Sequence, residues 1–345
     1  MYITSVKLIS AVILATVTAT ISVVQAQTLP SNQAVPGNWP VPDMPPPPVA
    51  SWTALVDQTK LPNAAVKTIP YTCDAGDPWC SWSCTTCTRP EIDITYCPNK
   101  TDWALTYDDG PGPNTLKVLS ALESKGVKAT FFVVGSRVLQ HPDILKQTVA
   151  AGHQIGVHTW SHTLLTTQTN EEIIAEIKWT ETIIKNVTGL TPKLMRPPGG
   201  DMDDRVRGIM SQLGYKVAIW NHDTFDWESN LNPKFNLDWI TNNFSIWVHN
   251  ISNTGSISLE HDLFNSSSSK IPAALDIVTG AGFEVKQISN CVNNLKPYVE
   301  DVTLPASPSR SNSTAKSKSS GTSSLTPKYL VEFIMATLML SFMMV

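Results

Sequence analysis

The chain has 345 residues, 25 of them basic and 29 acidic, for a formal net charge of −4. With no dense Lys/Arg block, this balance offers no electrostatic grip on a phosphate backbone and excludes nucleic acid as a partner. Setting aside terminal segments and low-complexity stretches leaves about 200 residues with core periodicity, enough for one catalytic domain.

Residues 1–26 carry Lys7 ahead of an apolar stretch over 8–24 and finish on Val24-Gln25-Ala26. That pattern predicts a secretory signal peptide cleaved after Ala26. Residues 27–50 are Pro-rich, including Pro45 to Pro48, and predict a polyproline-like arm that hugs the surface or moves. Residues 51–98 hold five of the six cysteines (Cys73, Cys80, Cys84, Cys87 and Cys97, with Cys291 far downstream). They form a Cys-rich, loop-dominated N-terminal extension. Cys84-x-x-Cys87 has no second ligand pair at matched spacing, so it reads as disulfide chemistry rather than zinc. Asn-x-Ser/Thr sequons at Asn99, Asn186, Asn243, Asn250, Asn265 and Asn312 fit the same oxidising secretory route.

From Trp103 on, apolar runs alternate with amphipathic segments over the catalytic stretch 99–300. Strands are predicted at 104–107, 129–134, 155–157, 194–195, 217–220, 257–259 and 283–285. Helices are predicted at 116–122, 171–186, 203–213 and 273–279. Seven strands alternating with helices imply an α/β fold with parallel strands, either closed into a barrel or open. Polar residues follow the strand ends: Asp108 and Asp109, His158, Arg196, Asp223 and Asp226, and His261. Both architectures place their active sites there. A Ser/Thr-rich linker at 301–328 precedes an apolar tail at 329–345. Together they read as the signal exchanged for a glycosylphosphatidylinositol (GPI) lipid, with the acceptor at or next to Ser319, among Ser319, Ser320 and Gly321. A secreted protein held at the outer face of the plasma membrane and in the wall is expected.

In Thr106-Tyr107-Asp108-Asp109-Gly110-Pro111 an apolar strand runs directly into two adjacent carboxylates. Neighbouring side chains point in different directions, so one carboxylate can bind a metal while the other stays free as a base. In His158-Thr159-Trp160-Ser161-His162 the i, i+4 spacing places both imidazoles on one side of a helical turn. With one carboxylate they make a two-histidine, one-carboxylate site open to water and substrate.

These two segments, with Arg196-Pro197-Pro198, residues 223–227 and Leu259-Glu260-His261, resemble the five ordered motifs of the polysaccharide deacetylases, carbohydrate esterase family four. The similarity covers about residues 101–290 and is strongest to the fungal GPI-anchored chitin deacetylases. The resemblance implies a distorted barrel of seven or eight βα units and a bound Zn2+ or Co2+. It also implies hydrolysis of N-acetyl groups on chitin or its oligomers, by a monomer working on cell-wall glycans. It implies Asp109, His158 and His162 as metal ligands, Asp108 as general base oriented by Arg196, and His261 as general acid held by Asp226. Tyr107, Gly199, Trp227 and Leu259 match substrate-contacting positions, and a Cys97–Cys291 pair closing the barrel is expected as in fungal relatives. The other four cysteines allow three pairings. One departure stands out: the family has Tyr where this chain has Gly199, which keeps a backbone N–H but removes an aromatic floor. Two other readings stay open, a deacetylase of another acetylated wall polymer and a catalytically weak glycan-binding wall protein.

Overall fold

The computed structural model describes residues 35–73, 76–250 and 252–307. The expected signal peptide, the sequon at Asn312, the expected lipid acceptor and the apolar tail lie outside the described residues. Among the described residues no helix is long and apolar enough to cross a membrane.

Among the described residues nine strands form one sheet: β1 (Asp93–Ile94), β2 (Asp102–Asp108), β3 (Thr130–Val133), β4 (Gln154–Val157), β5 (Leu194–Met195), β6 (Lys216–Ala218), β7 (His222–Asp223), β8 (Ser256–His261) and β9 (Glu284–Lys286). All their pairings are parallel. β2 is buried along its whole length, as a strand covered on both faces must be. β8 runs along one edge of β2, while β9 and β3 share the other, β9 beside Asp102 to Ala104 and β3 beside Thr106 to Asp108. The order is β1-β6-β5-β4-β3-β2-β8-β7, and among the described residues no ladder joins β1 to β7. The barrel is therefore distorted and incomplete.

All seven expected strands are present, and β1 and β7 add to them. The helices at Thr115–Ser124, Asn170–Thr188, Asp204–Gln212 and Ile271–Gly280 match expectation, and Gly135–Gln140, Pro142–Ala150 and Asp238–Trp247 are additional. The Asn170–Thr188 helix starts with a reciprocal capping box between Thr169 and Glu172 and ends at Gly189, whose φ is 77°.

The Cys-rich extension is joined to the sheet rather than set apart, because β1 pairs with β6. It is held by Cys73–Cys84 and Cys80–Cys87, and Cys97–Cys291 links residues 194 positions apart. The described part of the Pro-rich arm, residues 35–50, packs on the catalytic domain: Trp39 stacks on Trp160, and Trp160 and Trp179 donate their indole N–H groups to the Val41 and Pro47 carbonyls.

Candidate active site

The site is built at the C-terminal end of the sheet. Register places Asp108 of β2 level with His261 of β8 and Phe132 of β3. After β2 the chain turns sharply, Asp109 taking φ 80°, so the two adjacent carboxylates face different partners. The turn leaves room only for glycine at position 110, where a Cβ would collide with the Asp262 carboxylate.

Asp108 Oδ1 accepts from Arg196 Nη1 at 2.8 Å, and its Oδ2 lies 3.7 Å from His158 Nε2. Asp109 Oδ1 lies 3.4 Å from His158 Nε2 and 3.1 Å from His162 Nε2. Donor atoms of Asp109, His158 and His162 all fall within 4.8 Å of one another. The His158 Nδ1–H donates to the Arg196 carbonyl at 2.8 Å, which fixes the tautomer and leaves the Nε2 lone pair facing Asp109. Burial opposes charge on Asp109, but the neighbouring His162 imidazole outweighs it and holds the carboxyl well below the usual range. The residues from His158 to His162 are not helical. They form an irregular loop in which Thr159 and His162 have φ 64° and 62°. The predicted helical turn is thus corrected: the imidazoles converge, with centroids 5.0 Å apart, through left-handed backbone at both ends of the loop rather than through i, i+4 helix geometry.

At the end of β8, His261 Nδ1 is 2.6 Å from Asp226 Oδ1, and its backbone N–H donates to Asp226 Oδ2 at 2.8 Å. Burial alone would lower the imidazole pKa, but the Asp226 carboxylate overrides it and pushes His261 up to about 10. Leu259 is buried on β8 and Trp227 is half-buried beside Asp226. Tyr107 is buried against Phe131, 5.2 Å between ring centroids.

Residues 95–218 match the family model for polysaccharide deacetylase. Chitin deacetylase 1 of Cryptococcus neoformans is 38% identical over 309 residues, covering 82% of this chain and 65% of that protein. Chitin deacetylase 2 of Saccharomyces cerevisiae is 38% identical over 223 residues, covering 64% of this chain and 67% of that protein. The chain belongs to the polysaccharide deacetylase family. Among solved structures, the chitin deacetylase of the fungal pathogen Colletotrichum lindemuthianum is similar at a TM-score of 0.56 and 27% identity, covering 60% of this chain and 94% of that one. The chain spans slightly under two thirds of the length of the Cryptococcus protein.

As a polysaccharide deacetylase the chain departs from pattern at Gly199, whose φ of 58° lies where glycine is unstrained. A Cβ there would meet only Leu164 Cδ2 at 3.6 Å, so backbone conformation rather than crowding favours glycine. Sequence reasoning missed the cradle around Arg196. The guanidinium carbon sits 4.2 Å from the Phe132 ring centroid and 5.4 Å from that of Trp220. Nη1 also donates to Thr106 Oγ1 at 2.7 Å, and Nε donates to the Ala218 carbonyl at 3.1 Å.

Proposed function

We propose that this polysaccharide deacetylase removes acetyl groups from N-acetylglucosamine residues of chitin or its oligomers, giving chitosan and acetate, with one Zn2+ or Co2+ held by Asp109, His158 and His162. The observation that carries the metal is a buried oxygen, Asp109 Oδ1, which has no hydrogen-bond partner and faces two imidazole nitrogens. Oxygen and imidazole donors in this number suit a divalent transition metal with open positions. Such an ion would polarise the acetyl carbonyl and acidify a water beside it.

The chain's own residues supply the rest. Asp108, oriented by Arg196, takes the proton of the water that attacks the acetyl carbonyl carbon. His261, charged at neutral pH through Asp226, gives a proton to the sugar nitrogen as the C–N bond breaks. The products are acetate and a free amine. The Gly199 backbone N–H serves the developing oxyanion, and Trp227 and Leu259 wall the acetyl methyl. The similarity to named chitin deacetylases favours chitin over other acetylated polymers. Acetate release from chitin oligomers, against acetylated xylan at equal acetyl content, tests this choice. Faster release from xylan would reassign the substrate.

The disulfides, the sequons and the Ser/Thr-rich run before an apolar tail support secretion and a GPI lipid at the outer membrane face and in the wall. Phosphatidylinositol-specific phospholipase, or a glucanase after transfer to the wall, should release the protein. Mature chain still carrying residues 329–345 would refute the anchor.

A further inference from the structure

The loop from His158 to His162 carries two ligands of the proposed metal site, yet it belongs to no helix or strand, and two of its non-glycine residues are left-handed. Something outside the loop must hold it there. On one side its Thr159 and Trp160 carbonyls accept from the Gly135 and Ser136 N–H groups, at 2.9 and 3.1 Å. On the other side lies Glu176, fully buried on the helix Asn170–Thr188. Its Oε2 accepts from the backbone N–H groups of Trp160, at 2.6 Å, and Ser161, at 2.9 Å. Its Oε1 accepts from the Ser161 hydroxyl and from Gln168 Nε2. All four hydrogens point at the carboxylate, and three of the four come from residues lying between the two imidazoles. Within the loop, His162 N–H donates to Thr159 Oγ1 at 3.0 Å, so the fixed segment is coupled directly to the second ligand.

We propose that Glu176 is a positioning residue of the metal centre: by gathering the Trp160 and Ser161 N–H groups it sets the spacing of His158 and His162, and thereby metal affinity and coordination geometry. A carboxylate that merely filled a buried polar site would affect stability and leave the ligands where they are. Partners that orient ligands typically change metal affinity tenfold to a hundredfold when removed. The proposal rests on the metal reading above, and the wild-type chain is therefore measured first. Failure of wild type to bind Zn2+ or Co2+ would fall on that reading and remove the basis of this one.

The test compares Glu176→Met, which keeps the volume but accepts nothing, with Glu176→Gln. In Glu176→Gln the amide oxygen can still accept from both backbone N–H groups. Its NH2 can reach Gln168 Oε1, now without a partner, if the Gln168 carboxamide turns over. Zn2+ affinity is read by chelator competition, the ligand field by the visible spectrum of the Co2+ form, and folding by circular dichroism. Glu176→Ala gives a second non-accepting variant should methionine fail to fold. The expected result is a folded Glu176→Met protein with affinity about 10- to 100-fold lower and an altered Co2+ spectrum. Glu176→Gln should stay within about threefold of wild type with an unchanged spectrum. A non-accepting variant with wild-type affinity and spectrum would overturn the proposal, as would a Glu176→Gln loss as large as that of Glu176→Met.

Discussion

Arg196 Nη1 donates to Asp108 Oδ1 across 2.8 Å, and the two side chains are 0% and 3% exposed. Few ion pairs in the fold are so thoroughly closed off. A pair taken this far from water is held by its hydrogen bonds, and removing one partner leaves a buried charge alone. Arg196→Met should destabilise the metal-free protein by about 3–5 kcal/mol in denaturant unfolding. The double variant Arg196→Met/Asp108→Asn should recover part of that loss, because no isolated carboxylate remains. Additive losses in the two single variants would mean that the pair is not coupled.

Much of this arrangement was readable in advance, for reasons that differ by residue. β2 runs from Trp103 through Leu105 and Tyr107 into Asp108, and β8 alternates Ile257 and Leu259 with polar residues before His261, so Asp108, Asp109 and His261 announced themselves at strand exits. β1 and β7 are two residues each and contain polar residues, so unlike the equally short apolar Leu194–Met195 they present no apolar run to detect. The His158 to His162 spacing correctly marked a ligand pair but implied a helix. The left-handed Thr159 that replaces it leaves no mark in the residue order. The cradle of Arg196 is gathered from Thr106, Phe132, Ala218 and Trp220, residues joined only by strand pairing. Glu176 did leave a signal, since it falls on the helical stripe of Ile173, Ile177, Thr180 and Ile184, where a carboxylate needs donors from elsewhere in the fold.

Asp108 is not one of the three side chains whose donor atoms converge, and it spends one carboxylate oxygen on Arg196. Asp108→Asn should therefore keep stoichiometric metal while turnover falls about a hundred- to ten-thousand-fold, as for loss of a general base. Metal content by mass spectrometry alongside acetate release separates the two effects. A variant turning over near the wild-type rate would reassign the base.

His261 is raised by Asp226, so its acid form is present below about pH 10 and is lost as pH rises through that value. A bound divalent cation would pull this limit down. Asp226→Asn removes the carboxylate that lifts it. The alkaline limb of the pH profile of kcat/KM should then move to lower pH by about one to three pH units. An unmoved limb would detach Asp226 from the acid.

Cys97 and Cys291 close a loop spanning 194 positions, from the entry of β2 to the short helix after β9. In the chain-entropy account a loop of that length is worth about 5 kcal/mol, so the Cys97→Ala/Cys291→Ala protein should melt roughly 10–20 °C lower. Its acetate release at 20 °C should persist, since neither sulfur lies among the site residues. An unchanged melting temperature would mean that the bridge adds nothing to the folded state.

The central claim is that Asp109, His158 and His162 hold one divalent cation without which the acetyl group is not hydrolysed. The direct measurement strips the purified protein with a chelator, verifies the metal-free state by mass spectrometry, and follows acetate release from chitin oligomers as Zn2+ is titrated back. The account predicts no turnover in the stripped protein and full recovery at one equivalent per chain. Recovery should be abolished in His162→Ala, whose imidazole lies 3.1 Å from Asp109. Undiminished acetate release from verified metal-free protein would contradict it.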